Sequence, residues 1–100
     1  MKMNMKPSHP GEMLREAVLK PMGLSVTRAA QQLGISRKTL SSLINERVRL
    51  TPDLAMRIAI ATGTTVESWI NLQAQLDAWE VDHDRPKNVS KFKQENQPTM

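Results

Sequence analysis

Arg37, Lys38, Thr39, Ser41, Ser42 and Asn45 crowd into one short stretch with no carboxylate between Arg37 and Asn45. These side chains carry hydrogen-bond donors on short or cationic stems. Such a face can lie in a DNA major groove beside the phosphate backbone. Catalysis needs something else: acid, base or nucleophile groups converging in a pocket. His9, His83 and the scattered carboxylates show no such spacing, and no Gly-rich phosphate loop, Ser/His/Asp arrangement or internal repeat stands out. His83 sits between Asp82 and Asp84, but adjacent positions point in different directions. No enzyme activity, metal or cofactor is expected.

The elements that must position these residues are legible around them. Leu40, Leu43 and Ile44 recur at i, i+3, i+4, so the polar set occupies the other faces of a helix, for which Ser36 is a good N-cap. Upstream, Ala29, Ala30 and Leu33 mark a first helix over residues 26–33. Gly34 can take the left-handed conformation of a tight reversal, and Ile35 plugs the corner. Two helices that cross steeply need a small side chain where they touch, which Ala30 supplies. The pair is a helix-turn-helix unit over about residues 25–46. Helix pairs of this kind also occur in ordinary bundles, so charge matters. Arg28, Arg37, Lys38, Arg47 and Arg49 stand against Glu46 alone, matching the whole chain's formal excess of +4. Phosphate neutralisation supplies most non-specific DNA affinity.

One hundred residues with 39% hydrophobic content make one small domain. The absence of cysteine excludes a disulfide scaffold and agrees with a reducing cytoplasm. No apolar run approaches the ~20 residues of a membrane span, and the N-terminal residues lack the apolar core of a secretory signal. The expected organisation is an N-terminal arm (1–8), a helical domain (9–80) and a flexible tail (81–100). The first helix starts at Pro10, buries Met13, Leu14, Ala17 and Val18, and stops at Pro21 and Gly23, with His9 as a cap or surface residue. Thr51-Pro52-Asp53 starts a fourth helix that buries Leu54, Ala55, Ile58 and Ala59, while Met56 and Ile60 broaden its apolar surface and Arg57 takes the remaining face. Thr64 or Thr65 caps a fifth helix over about residues 66–79. That helix carries apolar residues over most of its circumference, so Trp69, Leu72, Leu76 and Trp79 are candidates for a dimerisation face at about residues 65–80. The tail holds four basic and four acidic residues counted from Glu80 and reads as solvated, although Lys91-Phe92-Lys93 could touch a partner.

Three patterns in order resemble the HigA-type antitoxins of the Xre/Cro-like helix-turn-helix repressors. They are His9-Pro10-Gly11-Glu12 with Leu14-Arg15-Glu16, Leu50-Thr51-Pro52 with Ala55, Arg57 and Ala59, and Trp69-Ile70-Asn71-Leu72-Gln73 followed by Asp77 and Trp79. The resemblance implies an all-α, five-helix lambda-repressor-like domain that dimerises and binds a palindromic double-stranded operator. It also implies a HigB-like toxin partner, an mRNA endoribonuclease that the antitoxin neutralises while repressing their shared operon. Carried over position by position, Arg37, Lys38, Ser41 and Ser42 match residues facing base edges, and Ser36, Thr39, Asn45 and Arg47 match residues near phosphates. Two positions depart from the pattern. Val26 stands where a phosphate-contacting Gln is frequent, leaving Ser25, Thr27 or Arg28 to grip DNA there, and Glu46 stands where Gly is common.

The resemblance places the chain in the bacterial cytoplasm, on the nucleoid when bound to its operator, and not at a membrane. Two other readings stay open from the residues: an orphan Xre-like regulator without a toxin, and a protein-interaction module whose helix pair does not read DNA. RNA binding is disfavoured by the absence of Tyr and the few aromatics.

Overall fold

Each helix begins at a side-chain acceptor that satisfies an otherwise unpaired backbone N–H. His9 Nδ1 accepts from Gly11 N–H (2.9 Å), Ser25 Oγ from Arg28 (3.1 Å), Ser36 Oγ from Thr39 (3.0 Å), Thr51 Oγ1 from Leu54 (3.2 Å) and Thr65 Oγ1 from Ser68 (3.2 Å). The computed structural model describes residues 5–93, and those residues form five helices and no strand. Helix α1 is made of three consecutive segments, Pro10–Leu14, Arg15–Leu19 and Lys20–Met22. Helices α2 (Val26–Leu33) and α3 (Arg37–Ile44) form the helix-turn-helix. Helices α4 (Pro52–Thr62) and α5 (Val66–His83) complete the domain.

Helix α1 departs from the sequence reading. Its middle segment is a π-turn in which Lys20 N–H donates to Arg15 O, five residues back. Pro21 has no N–H to give, and its ring would crowd the carbonyl four residues earlier. The widened turn lets the helix run through it to Met22, and Gly23 (φ 65°) ends it. The extra residue also resets the buried stripe. Leu14 and Leu19 are buried and Val18 half-buried, whereas Met13 and Ala17, expected inside, are exposed.

Leu14, Leu40, Leu43 and Ile58 are at most 2% exposed and form the centre of the core, with Ala29, Ala30, Leu33, Ala55 and Trp69 around them. Full burial of such a leucine is worth about 1.5–3 kcal/mol, so the two core leucines of α3 tie that helix to the domain. Thr65 rather than Thr64 caps α5. Thr64 Oγ1 instead accepts from the Trp69 indole N–H at 2.7 Å.

Helix α5 extends to His83, so the first three residues of the expected tail are helical. His83 stacks on Trp79 with ring centroids 3.7 Å apart and donates from Nδ1 to Trp79 O. The described part of the arm is non-helical, and Lys6 lies 4.0 Å from Glu80 and 5.8 Å from the Trp79 ring centre. Residues 1–4 and 94–100, the remainder of the expected arm and tail, lie outside the described residues.

Of the four dimerisation candidates on α5, two lie inside the core of their own chain. Trp69 and Leu76 are 5% and 3% exposed, buried within their own chain. Leu72 is half-buried against the core, and Trp79 is half-buried between Lys6 and His83. A short helix bundle with one Phe and two Trp needs these large side chains to fill its own interior. The large apolar residues that α4 and α5 leave outside are Met56 (48% exposed), Ile60 (75%), Ile70 (40%) and, near the end of α5, Val81 (57%).

Candidate nucleic-acid interface

Helix α3 is held at its C-terminal end by α1. Gly11 packs so closely that a Cβ there would lie 1.8 Å from Leu43 O. Arg15 Nη1 donates to Ile44 O, one of the orphan carbonyls of the helix end. The same guanidinium is bonded to Glu16 (2.9 Å) and lies 3.8 Å from Glu46. Its pKa is raised above the ordinary arginine value, chiefly by the Glu16 bond. Hydrogen bonds from Lys20 and then Arg15 hold the Glu16 carboxyl below the usual glutamate range.

Helix α2 has a matching clamp. Arg57 of α4 donates from Nη1 to Leu33 O (3.0 Å) and Gly34 O (3.2 Å), and its Nε bonds Asp53 at 2.8 Å. Gly34 takes φ 72°, and a Cβ there would meet Arg57 Nη1 at 2.9 Å. The positive φ calls for glycine, and a Cβ would in addition push the Arg57 guanidinium off its carbonyls. Thus an arginine from outside the motif satisfies the C-terminal carbonyls of each of its two helices. The sequence shows the Asp53–Arg57 spacing, but not a partner more than 20 residues away. Arg57 and Arg15 are the positioning residues that the sequence reading missed.

Most residues expected to touch DNA are exposed: Ser25, Thr27, Arg28, Ser36, Arg37, Lys38, Thr39, Asn45 and Arg47. Ser41 and Ser42 are half-buried. Ser36 Oγ accepts from Thr39 N–H and donates to Thr39 Oγ1 (2.8 Å), which leaves the Thr39 hydroxyl hydrogen for an outside acceptor. Asn45 is exposed, but its side chain folds back along its own helix. Its amide nitrogen donates to Ser41 O (2.8 Å) and Ser41 Oγ (3.2 Å), so in this conformation it caps α3 and presents no donor to a phosphate. The residue after it, Glu46, has φ 61°, the left-handed conformation that glycine adopts without strain.

Pairing separates the cations. Lys6, Arg15, Lys20, Arg49, Arg57 and Arg85 each have a carboxylate partner. Arg49 therefore leaves the basic set read from the sequence: it bonds Asp77, beside the buried Gln73, whose Oε1 accepts from Leu50 N–H at 2.7 Å. Arg28, Arg37, Lys38 and Arg47 have no carboxylate partner among the described residues. The helix-turn-helix thus presents cations whose charge is not internally compensated, as phosphate binding requires.

Among the described residues no group of His, Cys, Asp or Glu is placed to hold a metal, and no helix is long and apolar enough to cross a membrane.

The helix-turn-helix family pattern matches residues 14–69. The antitoxin HigA-1 of Vibrio cholerae is 39% identical over 87 residues, 87% of this chain and 81% of that protein. Among solved structures, antitoxin GraA superposes with a TM-score of 0.83 at 34% identity, covering 89% of this chain and all of GraA. A Pseudomonas aeruginosa protein in complex with its 18-bp operator DNA superposes with a TM-score of 0.80 at 26% identity, covering 89% of this chain and all of that one. These are DNA-binding regulators and antitoxins, not enzymes. The chain belongs to the helix-turn-helix family, in its Xre-like group, as a HigA-type antitoxin.

Proposed function

We propose that this protein binds a palindromic operator as a homodimer, represses its own operon, and neutralises a HigB-like mRNA endoribonuclease toxin. The observation that carries the DNA-binding reading is the set of uncompensated cations on the helix-turn-helix: Arg28, Arg37, Lys38 and Arg47. Arg37 occupies the first turn of α3 and is the residue for bidentate guanine readout, worth about 1–3 kcal/mol of discrimination. Lys38, Arg28, Arg47 and the Thr39 hydroxyl hold phosphates. The operator complex of the Pseudomonas relative supports this assignment, and the name of the Vibrio relative supports the toxin partner.

The dimer face belongs to the outer side of α4 and α5. Pro52, Met56 and Ile60 follow one another at i, i+4, i+8, and Pro52 lines a shallow cleft with Ile70 and Ala74. A twofold through this apolar strip has to set the two α3 helices about 34 Å apart, one DNA turn. The protein then works in the bacterial cytoplasm, on the nucleoid while its operator is occupied.

The test is binding to DNA from upstream of its own gene, across a salt series, with and without Arg37→Ala. Tight, salt-sensitive binding to an inverted repeat that falls towards the random-DNA level in Arg37→Ala is expected. Equal binding to all DNA, indifferent to Arg37→Ala, would leave the helix pair as scaffold. Neutralisation is tested separately, by whether the purified chain suppresses RNA cleavage by the product of the adjacent reading frame.

A further inference from the structure

Among the described residues, cations outside the helix-turn-helix also stand without a carboxylate partner. Lys87, Lys91 and Lys93 also have no carboxylate partner among the described residues, and residues 85–93 contain no acid. This segment follows α5 without helix or strand, and all of it is exposed. Arg85, at its root, bonds Asp82 at 3.0 Å on the last turn of α5.

The helix that ends at this root packs on the loop that follows α3. Helix α5 is tied to the loop after α3 by Gln73, which accepts from Leu50 N–H, and by Asp77, which bonds Arg49. That loop also carries Arg47. From Asp77 to His83 the helix rises about 9 Å at 1.5 Å per residue. Beyond it, residues 85–93 span up to about 30 Å when extended. Three uncompensated ammonium groups at twofold and fourfold spacing thus sit on a tether long enough to span from that loop to the backbone of a duplex that α3 enters.

We propose that residues 85–93 form a sequence-independent strap that lies along the DNA phosphates flanking the operator half-site, with Lys87, Lys91 and Lys93 as its contacts. This rests on the DNA-binding reading of the helix-turn-helix and adds to it a contact that supplies affinity without readout. An ammonium on a flexible stem suits that task, because it bonds a phosphate as a point charge and demands no base geometry. A protein partner is the competing occupant, because Phe92 (105% exposed) and Val89 (71%) offer apolar anchors on the same segment.

The experiment compares the full chain with Lys87→Gln/Lys91→Gln/Lys93→Gln and with Phe92→Ala, measuring affinity for operator and for random duplex from about 50 to 200 mM salt. Each phosphate contact contributes about 0.9 to the slope of log affinity against log salt, so the triple variant is expected to lose about 3 from the slope per protomer. The loss should be the same on both DNAs, with the preference for operator kept and Phe92→Ala unchanged. An unaltered slope in the triple variant overturns the strap, as does a loss confined to operator DNA. Arg37→Ala in parallel separates the two readings: if it fails to change operator preference while the triple variant loses slope, the strap stands and sequence readout falls. A wild-type chain that binds neither DNA overturns both.

Discussion

Arg57 Nη1 lies 3.0 Å from the carbonyl oxygen of Leu33, so a cation on α4 closes the negative end of the first helix of the motif. The same nitrogen reaches Gly34 O in the turn leading to Ser36, the cap of the recognition helix. The angle at which α3 is presented therefore depends on a residue that does not face DNA. Hydrogen bonds to a charged donor are worth about 1.5–3 kcal/mol when shielded, and solvent reduces this for a side chain 40% exposed. Arg57→Met is expected to cost about 1–2 kcal/mol in urea unfolding and to weaken operator binding more than random-DNA binding. Arg57→Lys, which keeps the charge but not the fork, should recover part of both. Operator preference unchanged in Arg57→Met would remove the positioning role.

Gly11 packs directly on the backbone of α3. A methyl group there meets Leu43 O at 1.8 Å, backbone against backbone, so neither side can yield by rotating a side chain. Gly11→Ala is expected to destabilise the fold by about 3 kcal/mol, the upper range for overpacking. Because the displaced atoms belong to α3, the variant should also lose operator binding at temperatures where its circular dichroism remains helical. A melting curve superimposable on the parent would contradict the packing.

How far the sequence carried depended on the range of the physics involved. The caps Ser36 and Thr51, the turn at Gly34 and the buried set Leu40, Leu43, Ile44 are local, written in i, i+3 and i+4 spacings. They needed no tertiary information. Helix α1 failed locally because a π-turn inserted ahead of Pro21 shifts the period, exchanging Met13 and Ala17 for Leu19. At the candidate site, residue types and exposure were legible, but pairing was not. Nothing in sequence connects Arg49 to Asp77, Arg57 to Leu33 or Arg15 to Ile44, and these contacts decide which cations remain for phosphate. The helix α5 apolar surplus was visible, but whether a small core absorbs it depends on the other helices. Here it absorbs Trp69 and Leu76.

The outer strip of α4 and α5 yields a further test. Ile60, 75% exposed, and Met56, 48% exposed, lie outside the core cluster, so charges there should leave the folded chain intact. Met56→Asp/Ile60→Asp is expected to give a monomer by sedimentation at tens of micromolar, with melting and helicity near those of the parent domain. Two tied half-sites bind far more tightly than one, so operator affinity should fall by about 100-fold or more. A dimer that survives the double substitution places the interface elsewhere.

Glu46 combines two costs that substitutions can separate. It is the one acid among the helix-turn-helix cations, and with φ 61° it occupies a backbone region that costs a non-glycine residue about 1–2 kcal/mol. Its compensation is slight, a 3.8 Å approach to Arg15 between partly exposed side chains, worth about 0–1 kcal/mol. Glu46→Gly relieves the strain and removes the charge, while the added freedom of the unfolded chain takes back about 0.4–1 kcal/mol. A gain in stability of about 0.5 kcal/mol is expected, together with a several-fold rise in DNA affinity at low salt that shrinks as screening shortens. Glu46→Ala removes the same charge but keeps a Cβ in the left-handed region. It should share the gain in affinity and show none of the gain in stability. If the two variants melt alike, backbone strain at residue 46 does not limit the fold; if neither binds DNA more tightly, the carboxylate does not oppose the approach of phosphate.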